Sequence, residues 1–543
     1  MRRSVSSFAF IALCAAAVTA ATAVPASAAT SKGPSTTVAP YVLPVADGVS
    51  IKSLLTVNDK TTDNGYRMAG IPDGIGVKRD GADIVAYVNH ELRATAGIVR
   101  RHGEKGAFVS RLVIDPVTGR VKHGSDLIDP GTRYWDYPAG AYAAAPVPPA
   151  DFDPAADPSN PDVHKKVFSR FCSSALTAPG QLHNSRTKAG YTGQLYFGNE
   201  ETGNEGRSFG ITTDGLATQL PRLGLFSWEN TKVAGNTTNT TVVMGNEDAT
   251  PGELWTYVGA KRTTGSAVAK AGLTNGRNHV VKVAGVTTDL AFRAAHPTGT
   301  AVPFTLNDVE WNQSGKAQNA EALAEGGLGF SRVEDGDFDP DNRNDYYFVT
   351  TEGGDKTPTP DGVTRDGGGL WKLSFTDVNK PKLGGTLTLL LDGTESWGTQ
   401  EDKINKPDNM TIDRAGNLLI QEDPGGNDQV ARILSYRIAD GARGVVARFD
   451  PALFGATIPT GTTPDTRAVF TTDEESSGIV QLPGGAYLFD AQVHSAKNLP
   501  AGTGPGTVEE LVENGQLLRM WVSDFSKVYT ELANPTGRAT QPA

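Results

Sequence analysis

Ile84-Val85-Ala86-Tyr87-Val88-Asn89-His90-Glu91 is the stretch on which the fold turns. Five apolar residues, three of them β-branched, end abruptly in an amide, an imidazole and a carboxylate. So short a run with that composition predicts a strand rather than a helix. The same design recurs along the chain. Residues 194–197 lead into Asn199-Glu200-Glu201, residues 241–244 into Gly245-Asn246-Glu247-Asp248, and residues 418–420 into Glu422-Asp423. Further acidic motifs are Arg332-Val333-Glu334, Pro407-Asp408-Asn409 and Asp473-Glu474-Glu475. Gathering such groups is costly, since two like charges about 4 Å apart repel by roughly 4 kcal/mol near a protein surface. If these strand ends converge, cations must sit among them, and metal ions are the natural choice.

Working outward, comparable short runs fill residues 254–258, 346–350, 370–375, 387–391, 433–436, 486–489 and 517–522. Turn pairs such as Asp80-Gly81, Asp214-Gly215, Asp392-Gly393 and Gly484-Gly485 separate them, and the chain holds 62 glycines. Many short strands with regular turns predict an all-β fold, and at this length a β-propeller of about six blades. Loop insertions and a few short helices complete it, one helix being expected at residues 318–324. Residues 29–543 read as a single propeller domain, with a Pro/Ala-rich insertion near 138–163 and a loose tail from Pro535.

Residues 1–28 read as an export signal: Arg2 and Arg3, an apolar stretch from residue 8 to 24, and Ala26-Ser27-Ala28 as the cleavage site. The apolar stretch is too short for a permanent membrane anchor. A secreted protein in the extracellular space or cell envelope is expected, by either general or twin-arginine export. The net charge of −11 becomes more negative when Arg2 and Arg3 leave. That excludes nucleic acid and anionic membrane as natural partners and suits a protein that takes up cations. Of the two cysteines, Cys14 leaves with the leader, so Cys172 has no intramolecular partner. It is either a small buried apolar residue or a thiolate metal ligand, in which case iron or zinc is favoured over calcium alone.

The carboxylate and amide motifs suit oxygen-seeking cations, chiefly calcium. Asp337-Phe338-Asp339-Pro340-Asp341 alternates acids like a calcium loop, but Asn342 and Phe348 occupy the positions that an EF-hand gives to glycine and glutamate, so a solvated turn is expected. Gly206-Arg207-Ser208-Phe209-Gly210 matches a nucleophile elbow, yet strand and turn signals follow it where a helix is required. Walker loops, dinucleotide fingerprints and His-Glu-x-x-His helices are absent from the sequence. Arg332 and Glu334, two apart, face one side of a strand. Beside metal ions such a guanidinium fork suits a phosphate group.

In their order these motifs resemble the PhoX family of alkaline phosphatases. Val88-Asn89-His90-Glu91, Phe171-Cys172-Ser173, Gly198-Asn199-Glu200-Glu201 and the segment ending in Trp228-Glu229 each look like a family element. So do Gly245-Asn246-Glu247-Asp248, Arg332-Val333-Glu334, Pro407-Asp408-Asn409 with Glu422-Asp423, and Gln492-Val493-His494. The resemblance spans residues 85 to 500. It implies a propeller phosphomonoesterase with Ca2+ and Fe3+ in a central pocket, acting on small phosphate esters as a monomer. Cys172, Glu200, Glu201, Glu229 and Glu334 would be metal ligands, with Asn89, Glu91, Asp248, Asn409 and Glu422 completing the shell. Arg332 would bind the phosphate. Trp228 stands where the family usually has histidine, and Ser173 and Ser174 where it has glycines, so a divergent secreted member is implied. Two other readings stay open: a calcium-dependent propeller lactonase or esterase, and a non-enzymatic calcium-stabilised binding protein.

Overall fold

Strands rich in β-branched and aromatic residues have two apolar faces to cover, and this chain covers both by packing sheet against sheet. The computed structural model describes residues 28–155, 162–236, 238–351, 367–393, 404–423, 430–454 and 470–529. Nearly all of the expected leader and the whole tail from Pro535 lie outside the described residues. The fold is all-β with a few short helices, in a propeller-like arrangement of sheets around a central channel. One of those helices, Gly315–Ala324, covers the expected position and is capped by the Ser314 side chain. Among the described residues no helix is long and apolar enough to cross a membrane.

One inner hairpin recurs six times. The first pairs Pro72–Asp80 with Asp83–His90. The second pairs the segment around Cys172 with Leu195–Asn199 through bridges Phe171–Glu200 and Leu176–Tyr196. The third joins Trp228–Val233 to Thr240–Glu247, and the fourth Val333–Phe338 to Asp345–Thr350. The fifth joins Pro407–Ile412 to Asn417–Glu422, and the sixth sets Glu474–Glu475 and Ile479–Gln481 against Tyr487–Val493. The first strands of the third to sixth hairpins neighbour one another in that order and the sixth returns to the first, while the second hairpin meets the first near Gly74 and the third through Leu195–Asn199. The ring is tightest between the first and second hairpins. A Cβ on Gly74 would lie 2.3 Å from the Ser174 nitrogen, so only glycine fits there.

Further strands extend each hairpin outward, such as Phe108–Ile114 and Val121–Asp126 behind the first. The third and fourth sheets merge where Val302–Val309 pairs with Gly385–Asp392. The N-terminal strands return to the last sheets. Val42–Pro44 edges the fifth, while Val49–Thr56 lies antiparallel to Asn514–Val522 in the sixth. Apolar clusters fill the spaces between sheets; Phe197, Met244, Phe348 and Leu419 are all fully buried there. The nucleophile-elbow match falls on the strand Ser208–Thr212, with another strand after it.

Candidate metal centre

Each first strand carries a β-bulge opposite the second strand of its hairpin. In the first hairpin the register slips between Pro72 and Ile75, so Asp73 and Gly74 face Asn89 alone. The third, fourth and fifth slip likewise at Glu229-Asn230, Glu334-Asp335 and Asp408-Asn409. In the second, four residues beginning with Cys172 face three, and in the sixth, three residues just after Glu475 face two. A bulge re-aims the side chain it carries. Here the bulges bring Asp73, Cys172, Glu229, Glu334 and Asp408 together, with Glu475 beside the bulge of the sixth hairpin.

The second strands add the other half of the site. They end in an amide or threonine, a middle residue, and an outer one: Asn89-His90-Glu91, Asn199-Glu200-Glu201, Asn246-Glu247-Asp248, Gln421-Glu422-Asp423 and Gln492-Val493-His494. Side chains two apart share a face, so amide and outer acid turn the same way while the middle residue turns to the opposite face. The amides stitch neighbouring hairpins together. Asn89 Nδ2 donates to the Cys172 carbonyl at 2.5 Å, Asn246 Nδ2 to that of Glu334, and Gln421 Nε2 to that of Ser477 at 3.0 Å.

Three groups of ligand-type side chains lie with their donor atoms within 4.8 Å of one another: Asp73 with Glu91 and Cys172; Cys172 with Glu201 and Glu229; and Glu229 with Glu334 and Asp408. Cys172 and Glu229 are each shared, so the groups form one continuous array. Burial favours the protonated form of Asp73, Glu201, Glu229, Glu334 and Asp408. Burial and the neighbouring Glu91 push Asp73 up to about 8, and burial pushes Glu334 up to about 8 against the pull of Arg332. Burial and neighbouring carboxylates raise Glu201, Glu229, Asp408 and Glu475 well above the carboxylate range, and burial lifts the Cys172 thiol well above its own. Glu229 Oε1 and Glu334 Oε2 are buried with no hydrogen-bond partner. Buried acids of this kind are satisfied by protons or by metal ions.

Arg332 donates from Nε to Asp248 Oδ1 at 2.6 Å and from Nη2 to Asp248 Oδ2 at 3.0 Å, with Glu334 Oε1 3.1 Å from Nη2. Burial alone would raise Asp248, but the guanidinium brings it below the usual carboxylate range. Arg332 keeps 29% of its side chain exposed, so it faces both the acids and the mouth. Its φ of +59° is matched by Ile71, Arg170 and Lys406 at +49°, +47° and +45°. All four stand two residues before a bulge residue. Such backbone is strained outside glycine and gathers at functional sites.

The structure thus brings together Cys172, Glu91, Glu201, Glu229, Glu334, Asp248 and Arg332. Glu200 and Glu422 stand elsewhere, as middle residues on the opposite face. Glu200 accepts four hydrogen bonds: from Arg207 Nε at 2.6 Å, Arg207 Nη2 at 2.8 Å, and the backbone nitrogens of Arg207 and Ser169. Glu422 accepts the same set from Arg432 Nε and Nη2 and the nitrogens of Arg432 and Asn405. With every acceptor site engaged, neither carboxylate is open to a metal. Asn89 is similarly committed, donating to the Cys172 carbonyl and accepting from Tyr196 Oη at 2.8 Å. Asn409 Nδ2 donates across the ring to Ser173 Oγ, while its Oδ1 is buried without a partner. Glu200→Ala is therefore expected to destabilise the protein by about 3–5 kcal/mol, because it strands the buried Arg207. Denaturant unfolding should show that loss, and elemental analysis should show unchanged ion content.

Sequence reasoning missed Asp73 and Arg170; it named the motifs that hold Asp408, Asp423 and Glu475 but assigned ligand roles to Asn409 and Glu422 instead. Arg170 has Nε 2.8 Å from Glu91 Oε1 and Nη2 against Glu201. The spacing Arg170-x-Cys172 repeats Arg332-x-Glu334 and was the available signal. His90, the middle residue of the first strand end, is buried between the Gly70 carbonyl and Ser110, stacked on Phe108. The Asp337–Asp341 run lies in the turn of the fourth hairpin, where Asp339 Oδ1 accepts from the nitrogens of Asp341 and Asn342. A cavity of about 540 Å³ lined by Gly74, Ser173, Asp335 and Gly478 lies apart from the array, along the first strands.

The sequence profile of the family described as alkaline phosphatase PhoX matches residues 183–485, more than half of the chain. Among solved structures, Pseudomonas fluorescens PhoX in complex with vanadate, described as a transition-state analogue, superposes with a TM-score of 0.59 at 12% identity, covering 92% of this chain and 97% of that one. A GH43 β-1,3-galactosidase with galactodeoxynojirimycin gives 0.32 at 11% identity, covering 86% and 94%, and a luciferin-regenerating enzyme 0.28 at 10%, covering 83% and 92%. No curated protein sequence matches the chain.

Proposed function

This chain belongs to the PhoX family of alkaline phosphatases, and from that premise we propose that it is an exported, metal-dependent phosphoric monoester hydrolase. The observation that carries the reading is the continuous array of ligand-type side chains with a guanidinium fork on its rim. The donor set fits metal ions. A thiolate among Asp73, Glu91, Glu201 and Glu229 suits Fe3+, and the all-oxygen group of Glu229, Glu334 and Asp408 suits Ca2+. When bound, such ions neutralise phosphate oxygens and lower the pKa of an oxygen nucleophile.

The chain's own residues do the rest. Arg332, already oriented by Asp248 and Glu334, donates to the phosphoryl oxygens as charge builds there. Asp248 holds the fork in its plane, so little side-chain entropy is lost on binding. Glu91, Glu201 and Asp248 form the rim through which a small ester enters, with its alcohol portion towards solvent.

Elemental analysis of protein purified without chelators, paired with hydrolysis of p-nitrophenyl phosphate, tests this. Iron and calcium near whole-number ratios with turnover support it. Normal turnover by ion-free protein sinks it.

The raised pKa values give the chelated protein a defined pH dependence. Asp73 and Glu334 keep their protons to about 8 in the folded chain, against ordinary values of 3.8 and 4.5. The folded state therefore binds protons that the unfolded chain has released, and stability drops as pH rises between those limits. The melting temperature of chelated protein is expected to decline from pH 5 to 9. Ion-loaded protein, its acids already ionised, should show no such decline in a scan of the same buffers.

A further inference from the structure

Arg170 and Arg332 occupy one position in two different hairpins. Each lies two residues before its bulge residue, with φ of +47° and +59°. Each has Nε beside the outer acid of the preceding hairpin: Arg332 donates to Asp248 at 2.6 Å, whereas Arg170 Nε lies 2.8 Å from Glu91 as an ion pair and is left without a hydrogen-bond partner. Each sets Nη2 against a further acid, Glu201 or Glu334. About a third of each side chain is exposed, 32% and 29%. Glu201 lies close enough to Asp248 for the two to influence each other's protonation, so Glu91, Arg170, Glu201, Asp248, Arg332 and Glu334 are neighbours along the rim.

Like geometry at like positions implies like chemistry. Each guanidinium has its own acids, Glu91 and Glu201 for Arg170, Asp248 and Glu334 for Arg332, so the two are held at separate points of the rim. They offer two anion sites side by side. We propose that Arg170 forms a second anion subsite, and that the preferred substrates are phosphate monoesters whose alcohol portion carries another anionic group, a carboxylate or a second phosphate, close to the ester. This rests on the phosphatase reading above. A subsite of this kind has a clear use here, because the net charge of −11 repels polyanionic esters and a guanidinium at the mouth counters that locally. Its rigid fork matches carboxylate and phosphate alike.

The test compares kcat/KM for phosphoglycolate with that for ethyl phosphate, which lacks the carboxylate. The wild-type enzyme is expected to favour phosphoglycolate, chiefly through KM. Arg170→Met should cut that ratio about tenfold, the loss of one charge-assisted contact. Arg170→Lys, which keeps a charge between Glu91 and Glu201 and so covers a failure of the methionine variant to fold, should cut it about threefold, because an ammonium replaces the fork. Arg332→Lys should lower both esters by a common factor. A purely structural Arg170 would also lower both esters together and leave the ratio intact. A wild-type ratio near one, or a ratio unchanged in the Arg170 variants that fold, overturns the second subsite. Failure of the wild type to hydrolyse either ester overturns the phosphatase reading itself, and the subsite with it.

Discussion

Chelation is expected to remove phosphatase activity and thermal stability in the same titration. Both losses have one cause. Asp73, Glu201, Glu229, Glu334, Asp408 and Glu475 are buried, and burial with mutual repulsion holds them above the ordinary carboxylate range. Ions that bind only the folded chain stabilise it by about 4 kcal/mol each at a thousandfold excess over Kd. Losing their electrostatic help to the reaction costs several kcal/mol more, which is at least two to three decades of rate. Stepwise addition of a calcium chelator, followed by calorimetry and p-nitrophenyl phosphate hydrolysis, checks this. Activity that survives after the ions are gone would refute the mechanism, whereas stability that survives would show the acids to be satisfied by protons alone.

Arg332→Ala is expected to lower kcat about a hundred- to thousandfold, the usual cost of deleting one donor aimed at developing charge. The variant also leaves Asp248 without the guanidinium that holds its pKa down. Part of the loss could then come from a poorer ion site. Arg332→Lys separates the two effects: it keeps a cation beside Asp248 and Glu334 but not the two-pronged geometry. Full ion content with a deep loss of kcat in both variants places the effect on the phosphate. Ion loss in parallel with activity would give Arg332 a scaffolding role.

Much of this was readable in the residues. The all-β class followed from runs such as residues 84–88, and the propeller-like arrangement matches it. Several acids at strand ends did converge, the condition under which repulsion between carboxylates calls for cations among them. Choosing among adjacent acids was harder. In Asn199-Glu200-Glu201 and Gln421-Glu422-Asp423, strand alternation sends the middle residue away from its neighbours, and nothing local says which parity faces the channel. Arg207 and Arg432 were the missing clue, since each neutralises a middle glutamate from the adjacent strand. Asp73 escaped, and Asp408 was passed over for Asn409, for another reason. They sit in bulges, where the extra residue breaks the alternation on which strand reading depends. Pro72-Asp73-Gly74 and Pro407-Asp408-Asn409 look like ordinary turns until pairing partners are known. Arg170 was hidden by the attention that Cys172 draws.

The clasp of Val49–Thr56 onto Asn514–Val522 sets the order in which the molecule can be assembled. A strand made early pairs on one edge with Ala29–Lys32, while its other edge must wait until almost the whole polypeptide has been synthesised. Closure of the ring is then the final and most sequence-distant event, and a slow one. Until it happens the waiting edge is open to pairing with a foreign chain, so faithful biogenesis depends on chaperoning that interval.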